Sequence, residues 1–162
     1  MNSGNKNRSI CSRVSRRGFV RGAAGAVGGF VVVPRYVLGG SGYAPPSEKI
    51  NIAIISTGGQ GLHNIRALFG QADAQVIAIC DVNEESDYSR FYYRGTAGSR
   101  PALQLIEKRY ADRKTAGEYK GCACYVDFRK MLEKEKAIDA VLVATPDHIH
   151  AVATMAAIKN GK

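Results

Sequence analysis

The chain has 162 residues, about one domain's worth, with 45% hydrophobic and 23% charged side chains, a balance that excludes wholesale disorder. No run of about 18 uninterrupted apolar residues occurs, as a standard membrane-spanning helix requires, and four cysteines are too few for a disulfide-built miniprotein. The net charge of +9 points to a polyanion only until it is located: residues 1–44 carry seven of the 23 basic side chains and none of the 14 acidic ones, leaving +2 for the rest, so no nucleic-acid partner is expected.

The first segment reads as an address. Ser15-Arg16-Arg17-Gly18-Phe19-Val20-Arg21 sets a twin-arginine pair just before a large apolar residue. Gly22 to Val33 is uncharged, and Gly39 to Ala44 is a small-residue exit. Basic, apolar and small regions in that order are the layout of a secretory signal. The pattern resembles a twin-arginine signal, which implies the twin-arginine translocase as a partner and a periplasmic or otherwise exported location. The alternatives are a disordered basic tail or an uncleaved helix anchored through Gly25 and Gly29. Pro45-Pro46-Ser47 forms an extended linker.

Strands and helices then alternate. Glu48 to Ser56 is isoleucine-rich and nearly continuously apolar, as a strand buried on both faces of a parallel sheet must be. A glycine turn leads into a helix over Gly61 to Phe69, with Leu62, Ile65, Leu68 and Phe69 on one face. Ala74 to Cys80 is a second strand ending at Asp81. Residues 83–100 read as a long polar and aromatic loop, and Ser99-Arg100-Pro101 as the start of a helix carrying Leu103, Ile106 and Tyr110. Cys122 to Val126 is a short third strand, and Asp127 caps a helix bearing Phe128, Met131 and Leu132. Ile138 to Ala144 is a fourth buried strand, after which Asp147 caps a last helix with Ile149, Val152, Ala153 and Ala156 facing inward. The fold class is therefore α/β: a Rossmann-like, doubly wound parallel sheet of about four strand–helix units. Residues 1–44 are the signal segment and residues 45–162 an incomplete dinucleotide-binding domain.

The chemistry is placed at strand ends. Ser56-Thr57-Gly58-Gly59-Gln60-Gly61 follows the first strand, where a dinucleotide fingerprint G-x-G-x-x-G asks for glycine at 56, 58 and 61. Gly58 removes the Cβ that would block a pyrophosphate, and Gly61 lets the helix sit close to the strand. Ser56 departs from the pattern and needs φ below zero to avoid strain. Asp81 stands where a carboxylate accepts hydrogen bonds from both ribose hydroxyls of an adenosine and repels a 2′-phosphate, which favours NAD over NADP. Ala144-Thr145-Pro146-Asp147-His148-Ile149-His150 follows the fourth strand at the same sheet edge. His148 and His150 diverge on a helix and have no third ligand near them in sequence, so no metal site is expected.

Together, IAIISTGGQG, ICDVN and VATPDHIHA behind a twin-arginine signal resemble the glucose-fructose oxidoreductase/inositol dehydrogenase (Gfo/Idh/MocA) family over residues 48–162. The resemblance implies an NAD(P)-binding Rossmann domain followed by a domain that binds a sugar, cyclitol or related polyol, in a parent that forms homo-oligomers. It implies that Thr57, Gly58, Gly59, Gln60 and Gly61 form the pyrophosphate loop, that Asp81 is the ribose-binding acid, and that Thr145, Pro146 and His150 lie near the nicotinamide. The family's Glu-Lys-Pro motif and its substrate domain fall beyond Lys162. No catalytic residue is therefore assigned within the chain, and as it stands it is expected to be an inactive nucleotide-binding fragment. Two alternatives remain: a non-catalytic dinucleotide- or sugar-binding protein of the same fold, and an S-adenosylmethionine-dependent methyltransferase, against which Thr145-Pro146-Asp147 speaks.

Other candidates are plainer. Cys122 and Cys124 alternate faces of a strand and, with Cys80, read as buried thiols without a disulfide or metal role. Tyr88, Tyr92 and Tyr93, interleaved with Arg90 and Arg94, read as an ordered lid or surface loop beside the adenosine. His63 sits in the first turn of its helix.

Overall fold

The computed structural model describes residues 48–115 and 117–162. The twin-arginine motif, the apolar stretch behind it and the Pro45-Pro46-Ser47 linker lie outside the described residues.

In chain order the elements are β1 (Ile50–Ile55), α1 (Gly59–Leu68), β2 (Ala74–Cys80), β3 (Ser86–Asp87), β4 (Thr96–Ala97), α2 (Ser99–Arg109), α3 (Ala111–Thr115), β5 (Ala123–Tyr125), α4 (Phe128–Lys134), β6 (Ala140–Val143) and α5 (Asp147–Lys159). Four strands make one parallel sheet in the order β5-β2-β1-β6. The fold is the α/β, Rossmann-like parallel sheet that the apolar runs specify. The chain winds outward from β1 to β5, then returns to the other side of β1 as β6. That reversal opens a crevice between β1 and β6 at the carboxyl edge, the place where open α/β sheets take ligands.

Alternation along the strands divides the core. Ile54, Val76 and Ile79 face α1 and α2, together with Leu62, Ile65, Ala102 and Ile106. Ala53, Ile55, Ala78 and Cys80 face the opposite way, together with Met131, Ile138 and Ala153. Val76 and Ile79 are three residues apart yet share a face because the register with β1 slips there: Ile52 pairs with Val76, and Ala53 with Ala78. The slip is a bulge at Ile77, which flips the alternation. Two tyrosines serve the backbone beside it. Val76 N donates to Tyr110 Oη (3.4 Å), and Tyr119 Oη donates to Val76 O (3.0 Å). Their rings meet at 4.7 Å, and burial pushes both phenols up.

Several boundaries differ from the sequence reading. β1 and β6 are shorter than the apolar runs Glu48–Ser56 and Ile138–Ala144, and α1 starts at Gly59, so Gly59 and Gly61 both lie in its first turn. Asp127 does cap its helix, its carboxylate accepting from Arg129 N at 2.9 Å. Asp147 does not: Pro146 holds the cap position and Asp147 is the first helical residue, where its charge suits the positive end of the dipole. Val152 is 48% exposed, and the buried face of α5 is carried by Ala153 and Ala157. These short side chains let the helix approach the sheet closely. The expected loop over residues 83–100 contains a small antiparallel ribbon, β3 with β4.

Candidate functional site

The turn after β1 is fixed by backbone contacts. Ser56 N donates to Cys80 O at 2.7 Å, and Ala144 N donates to Ile55 O at 2.9 Å, so the turn emerges between β2 and β6. Ser56 has φ +75°. The sequence reading required a negative φ here, and the structure corrects it: the residue in the fingerprint's first glycine place adopts the glycine conformation, at a cost of roughly 1–2 kcal/mol. Gly61 explains why the turn does not relax. A Cβ there would lie 2.0 Å from Ser56 O and 2.8 Å from Ser56 C, far inside contact distance with backbone atoms. Gly58 precedes α1 in an extended conformation, with no side-chain cap and no acidic residue in the first helical turn. The helix thus presents amides and an unneutralised positive end at its start.

Asp81 reaches back to this turn. Its Oδ2 accepts from Thr57 N at 2.6 Å and from Thr57 Oγ1 at 3.1 Å, while Oδ1 accepts from Asn83 N at 2.9 Å. A carboxylate offers about four acceptor positions, so one, on Oδ1, stays open in this arrangement. Thr57 is fully buried; its side chain faces Asp81 and its carbonyl accepts from Gly98 N at 3.1 Å. It supports the carboxylate and does not form part of a phosphate-facing surface.

Two clefts flank the turn. One, of about 530 Å³, lies over the end of β2 and includes Asp81, Asn83, Phe128, Arg129 and His148. Burial, with the Asp81 charge beside it, pushes the Cys80 thiol on its wall up to about 12. The other, of about 520 Å³, lies over the β1–β6 crevice and includes Gly58, Gly59, Gln60, Asp147 and His150. Thr145 and Pro146 border both. His150 Nδ1 lies 3.2 Å from Thr145 O and 3.4 Å from Thr145 Oγ1, and among the described residues Nε2 has no hydrogen-bond partner. His148 and His150 thus serve different clefts. His63 is exposed on α1.

The aromatic segment between β3 and β4 lies elsewhere than the adenosine side alone. Tyr88 borders both clefts, and Phe91, Tyr92 and Tyr93 border the Gly58–Gln60 cleft. A Cβ on Gly59 would lie 2.5 Å from the Tyr93 ring, so Gly59 makes room for this segment. Tyr93 Oη also donates to Gln60 Oε1, and Gln60 Nε2 to Asn64 Oδ1. Sequence reasoning missed Tyr119, the Thr57–Asp81 pair and this contact. The Gly58-Gly59 doublet, one glycine more than the fingerprint needs at that spot, was the available signal for the last.

Residues 99–162 match the Gfo/Idh/MocA family model, described as an oxidoreductase family with an NAD-binding Rossmann fold. The match begins after the aromatic segment, so the glycine turn and Asp81 stand on their geometry. A glycosyl hydrolase family 109 protein of Stenotrophomonas maltophilia is 30% identical over 114 residues, covering 70% of this chain and 22% of that protein. Scyllo-inositol dehydrogenase of Lactobacillus casei, solved with NAD(H) and scyllo-inositol, aligns with a TM-score of 0.49 at 19% identity over 70% of this chain and 26% of that one. The WlbA dehydrogenase of Chromobacterium violaceum, solved with NADH and UDP-GlcNAcA, aligns with a TM-score of 0.48 at 19% identity and the same coverage. The chain thus spans about a quarter or less of the length of these relatives.

Proposed function

We propose that residues 48–162 are the NAD(H)-binding unit of a Gfo/Idh/MocA-type oxidoreductase acting on a sugar, cyclitol or related polyol. The observation that carries this is the Asp81 carboxylate bonded to Thr57 N at 2.6 Å, which joins the second strand's acid to the glycine turn. The residues fit the cofactor. Gly58 opens α1 without a side chain beside the Tyr88 hydroxyl, Gly61 lets α1 close on Ser56, and α1 begins without a competing acid. Asp81 keeps one acceptor for a ribose hydroxyl and repels a 2′-phosphate, which favours NAD over NADP. The α1 amides face the pyrophosphate, and Thr145, Pro146 and His150 border the nicotinamide half. A bound nicotinamide supplies hydride chemistry; this chain's residues bind and orient it. Substrate contacts and acid–base groups belong to the whole protein.

Fluorescence titration with NADH and NADPH tests the reading. NADH is expected to saturate the chain and NADPH to bind at least roughly tenfold more weakly, one opposed charge near the site being enough for that difference. Asp81→Asn, which keeps an oxygen for Thr57, is expected to narrow the gap. No saturable binding of either nucleotide refutes the assignment.

The glycosyl hydrolase name of the 30%-identical relative favours a second reading, in which the whole protein cleaves glycosides within the same nucleotide-binding frame. Release of reducing sugar without net NADH formation selects it. We further propose export through the twin-arginine translocase, on the strength of Ser15–Arg21. Replacing Arg16 and Arg17 with lysine is expected to retain the protein in the cytoplasm on fractionation.

A further inference from the structure

The segment Tyr88–Gly95 crosses the glycine turn as a strap with a firm base. Gly98 N donates to Thr57 O, Ser99 N to Asn83 O and Arg100 N to Glu84 O, at 3.0–3.1 Å. Gly98 has φ +133°, and a Cβ on it would lie 2.6 Å from Glu84 O, so the exit from the strap is locked against the loop after β2. The span is closed by Tyr88 N donating to Gly95 O at 2.7 Å, and is folded on itself by Phe91 N to Tyr88 O (2.9 Å) and Arg94 N to Phe91 O (3.1 Å). Tyr93 rests on Gly59 and Gln60.

Tyr88 holds the position that matters. With Ser56, Thr145 and Pro146, it borders both the Asp81 cleft and the His150 cleft. Its hydroxyl stands 2.9 Å from where a Cβ on Gly58 would sit, and among the described residues it has no hydrogen-bond partner. A dinucleotide held by Asp81 at one end and by Thr145 and His150 at the other would run past Tyr88 and the start of α1, where the helix amides and this phenolic donor could both serve its phosphates.

We propose that Tyr88 is a pyrophosphate-binding residue, donating its hydroxyl hydrogen bond from the strap to the phosphates seated at Gly58. This rests on the dinucleotide reading above and adds a ligand that the glycine fingerprint does not contain. The strap thereby forms a fourth wall of the nucleotide site, and Tyr93, tied to Gln60, keeps that wall in place.

Calorimetric titration of the full chain and of Tyr88→Phe with NADH, ADP-ribose and adenosine tests it. The substitution keeps the ring and its packing on Phe91 (5.8 Å between centroids) and removes only the donor. Loss of a hydrogen bond to a charged group predicts roughly tenfold weaker NADH and ADP-ribose binding, with adenosine, which has no phosphate, unchanged. If the unaltered chain takes up neither NADH nor ADP-ribose, the dinucleotide reading fails and the Tyr88 assignment with it. If it binds both and Tyr88→Phe binds them equally well, only the Tyr88 assignment fails. An equal loss for all three ligands shows that the hydroxyl shapes the fold and not the phosphate site, and overturns the assignment as well.

Discussion

The glycine turn and the strap above it are built by opposite means. In the turn, backbone meets backbone: Gly61 lies against Ser56 O, Ser56 is held at φ +75°, and Thr57 is gripped by Asp81. In the strap, the base is hydrogen-bonded to the same turn, but the tip rests on it through side chains, with Tyr92 91% and Phe91 64% exposed. A surface fixed by main-chain atoms has no room to adapt, whereas one made by aromatic rings re-seats at small cost. The site therefore pairs a floor of main-chain contacts with a wall seated on it through side chains.

Substituting each side separates them most sharply at Gly61. In Gly61→Ala the new methyl meets a carbonyl oxygen at 2.0 Å, and neither partner is a side chain that swings away. A loss of more than about 3 kcal/mol in urea unfolding is expected, enough to leave much of the chain unfolded. A near-native midpoint would mean that the turn is not locked.

Ser56 probes the same floor with the opposite sign. Ser56→Gly relieves the left-handed strain but gives the unfolded chain more freedom, so a net gain of about 0.5–1 kcal/mol is expected. A rise in unfolding temperature of a few degrees is the readout. Destabilisation would show that the hydroxyl carries an interaction outweighing the strain.

These two positions also show which features were legible in the sequence. Continuous apolar runs gave the strands because both faces of the parallel sheet are covered, and Gly58, Gly61 and Asp81 stood out because main-chain geometry restricts those positions to few residue types. Ser56 was misjudged because the turn's tightness is set by Gly61 five residues later, and a local rule about φ does not include that contact. The bulge at Ile77 depends on the register between β1 and β2, and Tyr119 on the polar groups the bulge exposes; neither is a property of its own segment. The lid or loop reading of Tyr88, Tyr92 and Tyr93 did not include the strap's seat on Gly59 and Gln60, for the same reason. Its aromatic residues are ordinary for a loop until Gly59 is seen to make room for Tyr93.

Gly59 is the point where floor and wall touch, and its substitution has a divided outcome. Alanine gains helix propensity at a first-turn position by about 0.5–1 kcal/mol, while its methyl, 2.5 Å from the Tyr93 ring, lifts the strap. Global stability is expected to change little, and chymotrypsin is expected to cut at Tyr92 and Tyr93 faster than in the unaltered chain. Unchanged cleavage would mean that the Tyr93 contact does not hold the strap.

The thiols give the smallest effect, one that leaves stability untouched and reports on the floor's opposite face. Cys80 closes β2 beneath Asp81, and burial followed by the neighbouring carboxylate raises it to about 12. Cys122 reaches about 12 by burial, then by the charges of Cys124 and Glu107. Raising a thiol's pKa favours its protonated form, and the thiolate is the nucleophile. At pH 8 roughly one such thiol in ten thousand is ionised. Of the three thiols expected to be buried only Cys80 is; Cys122 is half-buried and Cys124, on the other face of the edge strand β5, is exposed, so iodoacetamide followed by peptide mapping is expected to label Cys124 well before Cys80 or Cys122. Raising the pH towards 10 leaves Cys80 and Cys122 slow until the chain unfolds. Early labelling of Cys80 in the native chain would mean that the end of β2 opens, and a floor that opens there could not hold Asp81 against Thr57.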